Sequence, residues 1–198
     1  MRVGVLSLQG DFLEHEQALR RIDVEPVEIR LPRHLDGISA LIIPGGESTT
    51  IGKIAERWNL LERIRSFARS GCPLWGTCAG MILLAKEVID GVQDQPLLGL
   101  MDVAVRRNGF GRQVDSFEID LDVPALGDTP FPGVFIRAPF VERVGKDVEV
   151  LSRLDDGRIV AVRQGSLLST AFHPELTEDG RFHRYFLSLT VSRTSLLR

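Results

Sequence analysis

Two short stretches carry residue types that could do covalent chemistry together. Gly76-Thr77-Cys78-Ala79-Gly80 sets a thiol between two glycines at the end of an apolar run, the G-x-C-x-G spacing of a nucleophile elbow. A side chain held on so sharp a strand-to-helix turn strains its backbone and crowds its neighbours, and flanking residues without Cβ let the turn close. A helix starting there favours the thiolate of Cys78 and offers the Ala79 amide to a developing oxyanion. Taken by itself, the pentapeptide also fits a buried structural cysteine. Cys72, at the strand start and without this setting, is assigned to packing.

A thiol nucleophile needs a base, and Phe172-His173-Pro174-Glu175 supplies one. It follows the strand-like run Leu167 to Ala171, so His173 should emerge on the same sheet edge as the elbow if that strand is parallel. The imidazole would take the thiol proton and later protonate the leaving group, while Glu175 on its other nitrogen fixes tautomer and orientation. Pro174 favours an extended His173, and in extended chain residues two apart project to one side. A lone His-Pro-Glu is more often a surface turn, so the signal gains weight only beside Cys78. His15, His34 and His183 lack a comparable carboxylate setting and are assigned no role; Glu14 and Glu16 around His15 suggest a solvated helix face.

A third stretch, Pro44-Gly45-Gly46-Glu47-Ser48-Thr49-Thr50, ends a strand and opens a helix. The phosphate-loop pattern fails, because no G-K-[ST] follows and Glu47 would repel phosphate. A second oxyanion donor at Gly46 and polar recognition of an amino acid fit better, although a helix cap alone could explain Ser48. Arg107-Asn108-Gly109-Phe110-Gly111-Arg112 and Phe135-Ile136-Arg137-Ala138-Pro139 place arginines near glycine-rich or proline-bounded strand ends, suited to gripping an α-carboxylate.

The elements that must position these groups follow from periodicity. Arg2 to Leu8, Val24 to Ile29, Ala40 to Ile43 and Cys72 to Gly76 read as strands, with helices over Phe12 to Arg21 (Asp11 as N-cap), over Ser48 to Arg69 with an interruption near Trp58-Asn59, and over Met81 to Val88. Such alternation argues for βαβ units and a parallel sheet covered on both faces, with ligands at the strands' carboxyl ends. Beyond Pro96, short strand candidates dominate: Val103 to Arg106, Phe117 to Leu121, Val134 to Ile136, Val148 to Leu154, Ile159 to Arg163 and Leu167 to Phe172, some of them antiparallel additions. A closing helix over Glu178 to Val191 precedes a frayed tail, residues 192–198.

Composition narrows the class. A chain of 198 residues, 43% hydrophobic and 26% charged, suits one globular domain spanning 1–198. The formal charge of -3 leaves no footprint for nucleic acid or anionic membrane. No apolar run reaches membrane-spanning length, and Met1 to Leu8 is too short for a signal peptide, so a cytoplasmic location is expected. Two cysteines read as free thiols rather than a disulfide framework.

Cys78 on an elbow with a downstream His173-Pro174-Glu175 resembles the class I glutamine amidotransferases. Six further segments resemble the glutaminase subunits of pyridoxal 5′-phosphate synthases: Leu8-Gln9-Gly10, Pro44 to Thr50, Gly76 to Glu87, Arg107 to Glu118, Gly133 to Pro139 and Phe172 to Asp179. The resemblance implies a flavodoxin-like three-layer α/β sandwich whose mostly parallel central sheet carries some antiparallel strands. It implies a thioester at Cys78 with His173 and Glu175 as partners, L-glutamine contacts at Gly46, Glu47, Ser48, Arg107, Ile136 and Arg137, and an oxyanion hole from the Gly46 and Ala79 amides. The glutamine-site arginine falls at Arg107, directly before Asn108, rather than at Arg106. No cofactor or metal is implied. The implied partner is a barrel-shaped synthase subunit in a large hetero-oligomer, to which ammonia passes by a protected route; ammonium, dominant in neutral water, is not nucleophilic. Two other readings stay open: a glutaminase serving another ammonia acceptor, against which the PGGESTT stretch argues, and a non-catalytic regulator on the same scaffold.

Overall fold

Apolar four- and five-residue strands that would be insoluble alone are covered here by amphipathic helices on the connecting chain. The structure, a computed structural model, describes residues 1–107, 109 and 116–191. Residues 108 and 110–115 of the arginine-bearing motif and the expected tail, 192–198, lie outside the described residues. The strands are β1 (Arg2–Leu6), β2 (Glu25–Ile29), β3 (Ala40–Ile43), β4 (Leu74–Thr77), β5 (Ala85–Ile89), β6 (Met101–Arg106), β7 (Ser116–Leu121), β8 (Phe131–Ile136), β9 (Phe140–Val144), β10 (Glu149–Arg153), β11 (Ile159–Gln164) and β12 (Leu167–Thr170). The helices are α1 (Phe12–Arg21), α2 (Ser48–Arg57), α3 (Leu60–Arg69), α4 (Ala79–Leu84) and α5 (Arg181–Val191).

Ten strands form one mixed sheet in the order β2-β1-β3-β4-β12-β11-β9-β6-β5, with β10 on β11, while β7 and β8 pair separately. From β2 to β12 every pairing is parallel, and β11, β9 and β10 add antiparallel ladders. The parallel half therefore has the doubly wound 2-1-3-4-5 order, whose switch point between the first and third strands opens a crevice at the carboxyl ends. The expected mixed sheet is what the structure has.

Strand β4 shows how the layers lock. Trp75 points to one face, into a buried aromatic cluster with Phe182, His183 and Phe186 of α5 at ring separations of 4.9 to 6.1 Å. Burying rings of this size contributes roughly 1.5–3 kcal/mol each. Its neighbour Gly76 points to the other face, where a Cβ would lie 2.4 Å from the backbone of Gly80. The missing Cβ of Gly76 is what lets α4 sit this close to the strand it follows.

Three expectations need correction. The apolar helix read over Met81 to Val88 ends at Leu84, because Ala85–Ile89 pairs in parallel with β6 as β5. There Lys86 and Glu87 face outward, each beside an oppositely charged side chain, Asp102 and Arg143. Strand β9, unforeseen, carries Glu142 and Arg143 on its exposed side and pairs with β6. Asp11 sits at the start of α1, but its side chain makes no capping bond.

Candidate active site

The sheet delivers the reactive groups to one edge. β4 and β12 run parallel in the register Thr77↔Thr170, so the residues that follow each strand emerge side by side. Cys78 turns sharply at φ 48° and ψ −102°, a backbone that L-residues rarely adopt and that marks strain held by its surroundings. It is 8% exposed, its Sγ 3.9 Å from the Ile136 carbonyl oxygen.

His173 leaves β12 and its amide donates to the Val134 carbonyl at 2.8 Å, which ties the base to the separate β7–β8 sheet. Its Nδ1 lies 2.8 Å from Glu175 Oε1. The expected route to this pair, two side chains projecting alike from extended chain, holds for His173 only. Glu175 falls in a 3-10 turn, Pro174–Leu176, whose tight winding swings the carboxylate back under the imidazole. Burial by itself would lower the His173 pKa, but hydrogen bonds to Cys78 and Glu175, with their charges, raise it to about 11. Burial also pushes the Glu175 carboxyl up, against the hydrogen bond and charge of His173 that pull it down.

A cleft of about 350 Å³ opens over this edge. Its lining includes Gly46, Glu47, Ser48, Cys78, Ala79, Arg107, Ile136, Arg137 and His173; Glu175 is buried behind the imidazole, and Arg112 lies outside the described residues. Glu47, rather than Ser48, caps α2, accepting from the amides of Thr49 at 3.1 Å and Thr50 at 2.7 Å. Slight burial raises its pKa, yet these amides and the Thr50 hydroxyl win and hold it at about 2, so the carboxylate stays ionised. Arg107 reaches Glu47 Oε1 at 3.2 Å, Thr49 Oγ1 at 3.2 Å and Gln95 Oε1 at 3.1 Å. Arg137, at φ 42°, presents its side chain from the end of β8.

The sequence profile of the SNO glutamine amidotransferase family matches residues 5–192. The chain belongs to this family. Relatives of this glutamine amidotransferase include a pyridoxal 5′-phosphate synthase subunit PdxT from Herpetosiphon aurantiacus, 63% identical over 190 residues, 96% of this chain and 100% of the relative. The subunit of the same name from Roseiflexus sp. is 59% identical over 189 residues, again 96% and 100%. A crystal structure of a glutamine amidotransferase superposes with a TM-score of 0.90 at 55% identity, covering 96% of this chain and 98% of that one. PurLQS from Thermotoga maritima, 22% identical with a TM-score of 0.71 over 94% and 97% of the two chains, shares the fold.

The amidotransferase cleft also contains residues the sequence did not single out as contacts. Gln9 Oε1 accepts from the Glu47 amide at 2.7 Å, bracing the loop that carries Gly46. Asp11 Oδ2 stands 3.5 Å from His173 Nδ1. Both follow β1 at its carboxyl end, where the strand order predicts ligand contacts. Among the described residues, Asp11, His173 and Glu175 are the one trio whose donor atoms cluster as a metal site would require. Orientation of the imidazole accounts for that cluster, since His173 Nδ1 is already engaged by Glu175.

The larger correction concerns His15 and His183. Neither is ordinary: both are buried, and Glu16 beside them is 4% exposed rather than solvated. His15 Nε2 lies 3.3 Å from Glu175 Oε2. The signal was present in the spacing. His15 falls three residues after Phe12 and three and four before Ala18 and Leu19, on the apolar stripe of α1. Among the described residues no helix is long and apolar enough to cross a membrane.

Proposed function

We propose that this amidotransferase hydrolyses L-glutamine to L-glutamate and ammonia, as the glutaminase subunit of a pyridoxal 5′-phosphate synthase. The Cys78 thiolate attacks the side-chain amide carbon, and charge developing on the amide oxygen meets the Gly46 and Ala79 backbone amides. His173, as imidazolium, gives its proton to the amide nitrogen; the C–N bond breaks, ammonia leaves and a thioester remains. Water then loses a proton to His173 as its oxygen adds to the thioester carbon. Collapse of that adduct expels the Cys78 thiolate and frees glutamate. Glu175 keeps the imidazole oriented throughout. The ionised Glu47 suits the substrate α-ammonium, and Arg107 and Arg137 suit its α-carboxylate, with Ser48 and Ile136 completing the contacts.

The observation that carries this reading is the parallel register of β4 and β12, which sets the Cys78 thiol beside a carboxylate-backed imidazole in a cleft of amino-acid size. The names of the relatives support the partner, a synthase subunit that consumes ammonia. Cys72 and Cys78 form no disulfide, which suits a reducing cytoplasm.

The test is glutamate release from glutamine by the chain alone and mixed with a pyridoxal 5′-phosphate synthase subunit, with Cys78→Ala as control. Release that depends on the partner and vanishes in the variant is the expected result. A folded, bound mixture that releases no glutamate overturns the assignment, as does a Cys78→Ala chain with undiminished activity.

A further inference from the structure

Glu175 can orient His173 only while it stays ionised, and the structure buries it completely. One of its oxygens accepts a hydrogen bond from His173 Nδ1–H. The other, Oε2, has no hydrogen-bond partner among the described residues. A buried carboxylate oxygen without a donor costs heavily and invites protonation, which would remove the charge that the imidazolium needs. A polar hydrogen within reach is on His15, whose Nε2 lies 3.3 Å from Oε2 and 3.1 Å from Thr77 Oγ1, the hydroxyl one residue before the nucleophile.

The tautomer follows from counting donors. His15 Nδ1 and His183 Nε2 are 3.2 Å apart, so one donates and the other accepts. With the proton on His15 Nε2, that nitrogen faces the two oxygens as a donor, Nδ1 accepts from His183 Nε2–H, and His183 Nδ1 is left as a bare lone pair. His183 Nδ1 indeed has no hydrogen-bond partner. The opposite assignment would bury an orphan N–H on His183 and turn the His15 Nε2 lone pair toward the carboxylate, a worse arrangement on both counts. Both rings stay neutral: burial first, then the charges of nearby residues, lowers the pKa of each, to about 3 for His183 and well below the ordinary histidine value for His15.

We propose that His15 is a positioning residue of this enzyme: neutral and protonated on Nε2, it bonds Thr77 Oγ1 and holds the positive end of that N–H against Glu175 Oε2, keeping that carboxylate ionised and aimed at His173. The resulting order is His183, His15, Glu175, His173, Cys78, with α1 and α5 supporting the base from beneath the sheet edge. Trp75 walls the histidine pair, its ring 5.6 Å from His15 and 4.9 Å from His183. The proposal rests on the glutaminase reading of Cys78, His173 and Glu175.

The experiment compares His15→Gln with His15→Asn in the full chain bound to the synthase subunit. A glutamine amide reaches about as far as an imidazole Nε2 and can donate to Glu175; an asparagine amide still faces His183 but falls short of the carboxylate. Expected for His15→Asn is a fall in kcat on the order of 100-fold, the share of rate a well-held general base supplies, with KM nearly unchanged. His15→Gln should recover most of it. The pH profile of kcat in the asparagine variant should narrow, its acid limb moving up and its alkaline limb down, because a poorly held Glu175 stabilises neither the thiolate-imidazolium pair nor the imidazolium. Alkylation of Cys78 by iodoacetamide, followed on the Cys78 peptide, reports the same shift of the acid limb without any glutamine. That separates the two ideas: an alkylation shift in His15→Asn, in a protein whose wild type never hydrolyses glutamine, sinks the substrate and leaves the positioning role. Equal kcat and equal pH limbs in asparagine variant and wild type, or glutamine and asparagine variants impaired alike, overturn the role of His15.

Discussion

The Cys78 amide donates to the Thr170 carbonyl at 2.8 Å, extending the β4–β12 ladder one residue into the strained elbow. Cys78 is thus anchored by the same strand that leads to His173, three residues before it. A backbone at φ 48° would relax if free, and this bond, with α4 pressed against β4, is what opposes relaxation. The consequence is that catalytic geometry depends on the glycine contacts beneath the elbow as much as on the side chains in the cleft.

Gly80→Ala tests that dependence. A Cβ there would lie 2.0 Å from the Ile43 carbonyl oxygen, backbone of a central strand that has nowhere to move. Overpacking of this kind costs roughly 1–3 kcal/mol, which lowers Tm by about 2–12 °C in a chain of this size. Displacement of α4 should also slow Cys78 alkylation. A melting curve within about a degree of wild type, with unchanged alkylation, would show that the close approach of α4 to β3 is not needed.

Arg107 is held by groups that glutamine would compete for. Its guanidinium spans Glu47, Thr49 and Gln95, and Gln95 Nε2 in turn donates to Ser48 Oγ at 3.0 Å. Binding would exchange part of this network for a substrate carboxylate. Arg107→Ala should therefore raise KM for glutamine roughly 10- to 100-fold, the worth of a charge-assisted hydrogen bond, while kcat changes only a few-fold. Steady-state kinetics of the complex decide it; a collapse of kcat at constant KM would move Arg107 from substrate grip to support of the transition state.

Which features the sequence disclosed depends on how local their cause is. The elbow, the His-x-Glu pair and the strand ends that carry them are specified by neighbours in sequence, and periodicity located β1, β3, β4 and α1 to within a few residues. Ala85–Ile89 was illegible because its apolar residues continue a helical pattern; only the distant β6 makes it a strand. β9 was hidden by Glu142 and Arg143, whose charges suit the exposed side of a strand but suggest a loop. His15 was misread because Glu14 and Glu16 flank it, and helical position, not adjacency, decides which way a side chain points. Its partner Glu175 lies 160 residues away, at a distance no local pattern spans.

The buried histidine pair should also set the acid stability of the fold. His183 is held neutral, its pKa lowered by burial and then by Arg21 and Arg184 to about 3. Below the ordinary value of 6.5 the unfolded chain takes up a proton that the folded imidazole refuses, so unfolding gains protons and stability falls as pH falls. The contribution is intact above pH 6.5 and is lost progressively down to about pH 3, amounting at pH 5 to about 2 kcal/mol for this one residue. His173, raised instead, acts in the opposite window: its stabilisation is full below 6.5 and fades as pH rises toward 11. The two effects therefore separate on the pH axis. His183→Gln keeps a donor toward His15 but cannot titrate, so urea midpoints measured at pH 7 and pH 5 should diverge less in the variant than in wild type, by about 2 kcal/mol once converted to free energy. Equal acid sensitivity of the two chains would mean that His183 is already protonated in the folded state, in which case its Nδ1 must find an acceptor, while its Nε2–H still donates to His15 Nδ1 and the assigned tautomer of His15 stands.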